Sequence, residues 1–139
     1  MKKNKIVVVG LGYVGLSNSI LLAINNTVTG IDINMDTVNL VNKGLSPIDD
    51  KYIESYLKNE PLDLIAKIPF PGIFKDTDFA VIATPTNYDE KTHSFNTITV
   101  EKAIQSAIDE NPCIIIIIRS TVPVGFTDKM IERYQTDNI

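Results

Sequence analysis

The stretch VVVGLGYVG, residues 7–15, decides the fold of this 139-residue chain. It joins a short β-branched strand to a helix-forming segment through a G-x-G-x-x-G turn. Gly10 permits a tight turn, Gly12 lets a pyrophosphate approach the backbone, and Gly15 lets the helix pack closely on the strand. Phosphates held there lie on the helix N-terminus, where free N–H groups and the macrodipole favour an anion. The stretch therefore predicts a nucleotide-binding turn.

An acid stands at the end of the next predicted strand, residues 27–32, and Asp32 follows Gly12 by 20 residues. A dinucleotide fold needs a carboxylate about there, to accept hydrogen bonds from the adenosine ribose. The alternative is a glycine turn in an unrelated α/β unit, with Asp32 as a surface acid. Because Asp32 would repel a 2′-phosphate and residues 33–37 supply no cation, we expect NAD rather than NADP.

Strands and helices alternate along the rest of the chain. Further helices are expected over residues 36–43, from Ser46 as the N-cap to about residue 59, over 97–110 and over 125–134. Further strands are expected over residues 62–68, 79–83 and 113–118, the last being apolar on both faces like a covered central strand. This alternation predicts an α/β fold, a Rossmann-like doubly wound parallel sheet in the order 3-2-1-4-5 with helices on both faces.

Charge, hydropathy and cysteine content exclude several classes of protein. A net charge of −4 argues against nucleic-acid and acidic-membrane surfaces. The longest fully apolar run, residues 113–118, is far too short to span a membrane, and no signal peptide is evident. A single cysteine fits a reducing cytoplasm. We expect a cytoplasmic protein without nucleic-acid, membrane or metal partners.

Three loops are expected to meet at the carboxyl edge of the sheet. The glycine turn is one, residues 83–87 form the second, and residues 119–125 form the third. The later two loops carry hydroxyls and prolines, which suit hydrogen bonds to a ribose, a phosphate or a reacting oxygen. Threonine and proline are also common in ordinary turns. Arg119 is expected to pair either with a phosphate or with a nearby acid in a salt bridge.

Four segments of the chain together resemble the UDP-sugar and GDP-mannose dehydrogenase family. They are GLGYVGLS at residues 10–17, GLSPI at 44–48, ATPTNY at 83–88 and STVPVGFT at 120–127, in the family's order and spacing. The resemblance implies that NAD is the cofactor and that UDP-glucose is oxidised twice at C6. It leaves UDP-N-acetylmannosamine and GDP-mannose as alternative substrates. It further implies that residues 1–139 are an NAD-binding domain, truncated before a central helix and a UDP-sugar-binding domain, in a full-length homodimer.

The glycine pattern and the resemblance assign roles to individual residues. Cofactor contacts fall on Gly10, Gly12, Tyr13, Val14, Gly15, Asp32, Thr84, Pro85, Thr86, Ser120 and Thr121. The resemblance also makes Thr121 the catalytic threonine near the reacting centre. It places the family's nucleophilic cysteine, with its lysine and asparagine partners, beyond the last residue of this chain. Thr37 stands where the family often carries a basic residue.

Two further residues and two rival functions complete the expectations. Cys113 is expected to be a small core residue rather than a nucleophile, and His93 to be a solvated loop residue. One rival is a regulatory nucleotide-sensing domain of the potassium-channel type, against which the loop at residues 120–125 speaks. The other is the cofactor domain of a hydroxyacyl or hydroxyacid dehydrogenase.

Overall fold

Five parallel strands form the central sheet of the computed structural model, which describes residues 2–139. These strands are β1 (Lys5–Val9), β2 (Thr27–Ile31), β3 (Leu64–Lys67), β4 (Phe79–Ile82) and β7 (Ile115–Ile118). Their order in the sheet is β3-β2-β1-β4-β7, and every neighbouring pair is parallel. The predicted order 3-2-1-4-5 is confirmed, with β7 as the fifth strand of this sheet.

Helices cover both faces of the sheet, as the alternation predicts. They are α1 (Tyr13–Ala23), α2 (Met35–Asn42), α3 (Lys51–Asn59), α4 (Ile98–Glu110) and α5 (Phe126–Tyr134). On one face, apolar side chains of α1, α2 and α3 pack together with Ala66 and Leu64 of β3. On the other, Ile104 of α4 and Met130 of α5 are fully buried in one cluster with Ala80 and Ile82 of β4. Because all five strands are parallel, their carboxyl ends lie at the same edge of the sheet.

Helix α3 begins later than the sequence predicts. The N-cap is Asp50 and not Ser46, since a carboxylate oxygen of Asp50 accepts hydrogen bonds from the N–H groups of Tyr52 (2.9 Å) and Ile53 (3.0 Å). The Ser46 hydroxyl instead accepts a hydrogen bond from the N–H of Ile48 (3.1 Å), which closes a local turn. Ser46 and Asp50 both have side chains that can cap a helix, and the packing of the chain places the helix start at Asp50.

Strand β7 lies at an edge of the sheet, so the prediction of a covered central strand is wrong. Among the described residues β7 pairs only with β4, and Ile115 and Ile117 are 43% and 42% exposed on its uncovered face. Cys113 is exposed as well, which corrects its placement in the core. Its N–H donates to the side-chain oxygen of Asn111 (3.1 Å), so the chain is still turning there and β7 starts two residues later.

A small hairpin follows β4 where the sequence indicates only a polar loop. Its strands are β5 (Tyr88–Asp89) and β6 (Ser94–Phe95), which pair antiparallel. The rings of Tyr88 and Phe95 meet edge to face, with their centroids 5.2 Å apart. His93 is exposed in the turn of this hairpin, as expected of a solvated residue.

The glycine turn has no room for side chains at two of its three glycines. Gly10 has a φ of +94°, and a Cβ there would lie 2.6 Å from the carbonyl oxygen of Ala83. A Cβ on Gly15 would collide with the carbonyl oxygen of Gly10. A Cβ on Gly12 would meet nothing within 4 Å. Two glycines therefore serve the packing of the turn, and the third faces open space.

We expect the substitution Gly15→Ala to destabilise the fold, although alanine favours helices, because the new Cβ forces α1 away from the turn. The free energy of unfolding should fall by about 3 kcal/mol or more. Urea denaturation followed by circular dichroism measures this, with Gly12→Ala as the matched control. A Gly15→Ala protein within about 1 kcal/mol of wild type would contradict the packing argument.

Candidate functional site

The carboxyl ends of β1, β2, β4 and β7 border one cleft of about 580 Å³. The cleft brings together ten of the eleven residues predicted to contact a cofactor: Gly10, Gly12, Tyr13, Val14, Asp32, Thr84, Pro85, Thr86, Ser120 and Thr121. The eleventh, Gly15, is buried beneath the turn. Gly15 packs against the turn and does not line the cleft.

The floor of the cleft is the N-terminus of α1. Gly12 is the N-cap of this helix, and no side chain caps it. The N–H groups of an uncapped first turn have no partner within the helix, so they are free to donate to an anion. Since a Cβ on Gly12 would enter open space, a ligand can approach the backbone here. These observations fit a pyrophosphate group.

Asp32 ties the glycine turn to the start of α2. One carboxylate oxygen accepts a hydrogen bond from the N–H of Leu11 (2.9 Å), and the other accepts one from the N–H of Asn34 (2.8 Å). The side chain is half-buried and lines the cleft. Each carboxylate oxygen has a further lone pair, so both can accept hydrogen bonds from ligand hydroxyls.

Four residues beside Asp32 line the cleft without having been predicted as contacts: Asn34, Thr37, Pro47 and Ile48. Pro47 and Ile48 belong to the GLSPI segment, which resembles a family motif and has the pattern of a helix start, and neither feature by itself indicates a place in the cleft. Pro47 and Ile48 give this end of the cleft an apolar wall. Thr37 lines the cleft near Asp32 with a neutral side chain.

Two hydroxyl groups join the loops that follow β4 and β7. The Thr86 hydroxyl donates to the carbonyl oxygen of Thr121 (2.6 Å), and the Ser120 hydroxyl donates to the carbonyl oxygen of Thr84 (2.7 Å). The two bonds run in opposite directions between the same loops. The hydroxyls of Thr86 and Ser120 therefore hold the loops in register, and their remaining lone pairs are available to a ligand.

Helix α4 supplies another contact that sequence reasoning missed. The Thr99 hydroxyl lies 3.1 Å from the carbonyl oxygen of Pro85 and 3.2 Å from the hydroxyl oxygen of Thr84. Nothing in the sequence around Thr99 marks this contact, because it depends on how the first turn of α4 meets the loop. Thr121, by contrast, is exposed, and within residues 2–139 no partner holds its hydroxyl.

The cleft carries one charged group at each end. Asp32 and Arg119 are the charged side chains among its described lining residues. The salt bridges found within residues 2–139 join Lys3 to Asp63 and Arg133 to Glu101, so Arg119 does not form the salt bridge that was one of its two expected roles. Its positive charge remains available to a ligand.

Two kinds of feature are absent from residues 2–139, a cluster of metal-ligating side chains and a membrane-spanning helix. Across residues 2–139, no three acidic, histidine or cysteine side chains converge as a metal site would require. No helix in the same range has the length and apolar character to cross a membrane. Cys113 and His93 both lie outside the cleft lining.

A parallel sheet with a glycine turn, an uncapped helix N-terminus and a carboxylate at the end of β2 defines a dinucleotide-binding domain. The family comparison makes this specific. Residues 4–139 match the model of the UDP-glucose/GDP-mannose dehydrogenase family, NAD binding domain, and the chain belongs to that family. NAD is accordingly its cofactor.

Individual relatives agree with the family match. The chain is 43% identical over 97% of its length to UDP-glucose 6-dehydrogenase from Streptococcus pneumoniae, and 40% identical over 97% to that from Campylobacter jejuni. These alignments cover 34% and 35% of the two relatives, so the chain spans about a third of their length. A solved UDP-D-ManNAc dehydrogenase from Pyrococcus horikoshii superposes with a TM-score of 0.82 at 27% identity, covering 94% of this chain and 32% of that one.

We expect Gly12→Ala to weaken NADH binding at least ~tenfold, because the new methyl group occupies the space through which a pyrophosphate reaches the backbone. Stability should stay within about 0.5 kcal/mol of wild type, since the Cβ touches no protein atom. Fluorescence titration with NADH, alongside a denaturation curve, measures both quantities. Unchanged affinity would show that the phosphates do not lie on this turn.

Proposed function

We propose that this chain is the NAD-binding domain of a UDP-glucose 6-dehydrogenase, which oxidises UDP-glucose to UDP-glucuronate with two NAD⁺. The identity of 43% to the Streptococcus pneumoniae enzyme over almost the whole chain carries this proposal. The proposal extends to a cytoplasmic homodimer, as the family resemblance implies. A dehydrogenase of UDP-N-acetylmannosamine is the second candidate, favoured by the structural match to the Pyrococcus horikoshii enzyme.

The sheet order supports one orientation of the cofactor. Asp32, after β2, accepts the adenosine ribose hydroxyls, and the N–H groups at the start of α1, after β1, hold the pyrophosphate. The nicotinamide half then continues in the same direction, over the loops that follow β4 and β7. Among the residues that line the cleft, Thr84, Pro85 and Thr86 would hold its ribose, and Ser120 and Thr121 would lie beside the ring.

The protein residues near the nicotinamide ring hold the reacting groups in place and take no covalent part in the reaction. NAD supplies the chemistry by accepting a hydride from the substrate carbon. The exposed Thr121 hydroxyl is free to hydrogen-bond a reacting oxygen, and the Thr86 hydroxyl fixes the backbone that carries it. Holding donor and acceptor in one geometry is a large part of the rate acceleration in such reactions.

We expect Asp32→Ala to weaken NADH binding by about 1.5–3 kcal/mol, the cost of losing a hydrogen-bonded carboxylate. Titration calorimetry on the 139-residue chain measures this. Asp36→Ala is the matched control, because Asp36 is an exposed acid in the first turn of α2 and does not line the cleft.

The Asp32→Asn variant separates ribose binding from support of the turn. Its amide oxygen can still accept one backbone hydrogen bond, while the negative charge is lost. Equal affinity in wild type and both Asp32 variants would rule out the ribose role. Denaturation curves confirm that each variant is folded at the titration temperature.

We expect the 139-residue chain to bind NAD⁺ without oxidising UDP-glucose. Its single cysteine, Cys113, precedes β7 and so lies at the opposite edge of the sheet from the cleft, where it cannot trap an aldehyde. Absorbance at the NADH wavelength, with saturating UDP-glucose and a full-length family enzyme as positive control, tests this. Steady NADH formation by the chain alone would contradict the proposed division of roles.

A further inference from the structure

Arg119 is held at the mouth of the cleft by its backbone, while its side chain is unpaired. The backbone N–H of Arg119 donates to the carbonyl oxygen of Ile82 (2.8 Å), and this bond holds the Arg119 backbone against the end of β4. Within residues 2–139 no acid pairs with its guanidinium. The chain's other arginine, Arg133, donates to a carboxylate oxygen of Glu101 (2.8 Å). Arg133 therefore has an acidic partner within the protein, and the guanidinium of Arg119 has none among residues 2–139.

Strand order places Arg119 at a defined distance along the cleft. Asp32 follows β2, the glycine turn follows β1, and Arg119 follows β7, with β4 between the last two. Neighbouring strands lie about 4.8 Å apart, so Arg119 stands about 14 Å from Asp32 and about 10 Å from the turn. If the adenosine ribose lies one strand to one side of the pyrophosphate, the nicotinamide ribose lies one strand to the other, over β4. The ring then reaches towards β7.

We propose that Arg119 faces the nicotinamide end of the bound cofactor and makes the cleft favour NADH over NAD⁺. This inference rests on the proposed function, because it requires NAD in the stated orientation. The ring is cationic in NAD⁺, and it becomes neutral when a hydride brings two electrons and one proton. A fixed positive charge beside the ring therefore repels the cationic ring of the oxidised form and not the neutral ring of the reduced form, while its attraction for the pyrophosphate is common to both forms and cancels in the ratio of their affinities. Arg119 in this role determines which redox state binds more tightly.

The test compares the dissociation constants of NAD⁺ and NADH in Arg119→Gln, measured by calorimetry on the 139-residue chain. The ratio of the NAD⁺ constant to the NADH constant should fall about fivefold, as expected for a unit charge roughly 9 Å from the ring in a partly exposed site. Added salt should shrink this change, because it screens exposed charges. Arg119→Lys, which keeps the charge, should preserve the wild-type ratio. Arg133→Gln, the matched control outside the cleft, should also preserve it.

Three results would overturn the proposal. Equal weakening of both cofactors in Arg119→Gln would mean that the guanidinium binds the pyrophosphate, which is common to both. No change in either constant would mean that the side chain is merely solvated. Wild-type protein that binds neither cofactor would remove the proposed function together with this inference. In the first two results the wild-type protein still binds both cofactors, so failure of this inference is distinguishable from failure of the proposed function.

Discussion

Helix α1 lies so close to the turn before it that the carbonyl oxygen of Gly10 occupies the space of a Gly15 side chain. The helix begins directly after this turn, no side chain caps its first-turn N–H groups, and the residues at its start line the cleft. Asp32 completes the arrangement from the next strand, since its carboxylate holds the N–H of Leu11 inside the turn. The glycine turn, the anion-binding helix end and the ribose carboxylate are thus one connected unit.

The architecture could be predicted from the sequence because the alternation of strands and helices determines it. Order 3-2-1-4-5, helices on both faces and the convergence of three loops follow from parallel topology and right-handed crossovers. The ends of helices were harder to predict. Ser46 and Asp50 have equal capping chemistry, and only packing selects between them. The run of isoleucines in β7 likewise reads the same at an edge as at the centre, because no local signal records which neighbours cover it.

The candidate site was predictable in its residue types and less so in its contacts. Sequence placed Thr86 and Ser120 at the cleft, and the structure shows that their hydroxyls are donated to the facing loop. Pro47 and Ile48 lie in the GLSPI segment, which resembles a family motif, whereas nothing in the sequence around Thr99 marks its contact with the loop after β4, because that contact depends on packing. Ligand contacts at the eleven predicted residues stay predictions, because they depend on atoms that only a bound cofactor would provide.

The paired hydroxyl bonds between the loops after β4 and β7 also bear on the entropy of binding. Ordering a mobile side chain at an interface costs about 0.5–1.5 kcal/mol for each group immobilised. In this protein the loops around Thr84 and Thr121 are already joined to each other, and Thr99 joins the first of them to α4. These loops therefore lose their conformational entropy when the protein folds and not when a ligand binds. Because a ligand need not order them, a larger part of its interaction energy contributes to the binding affinity.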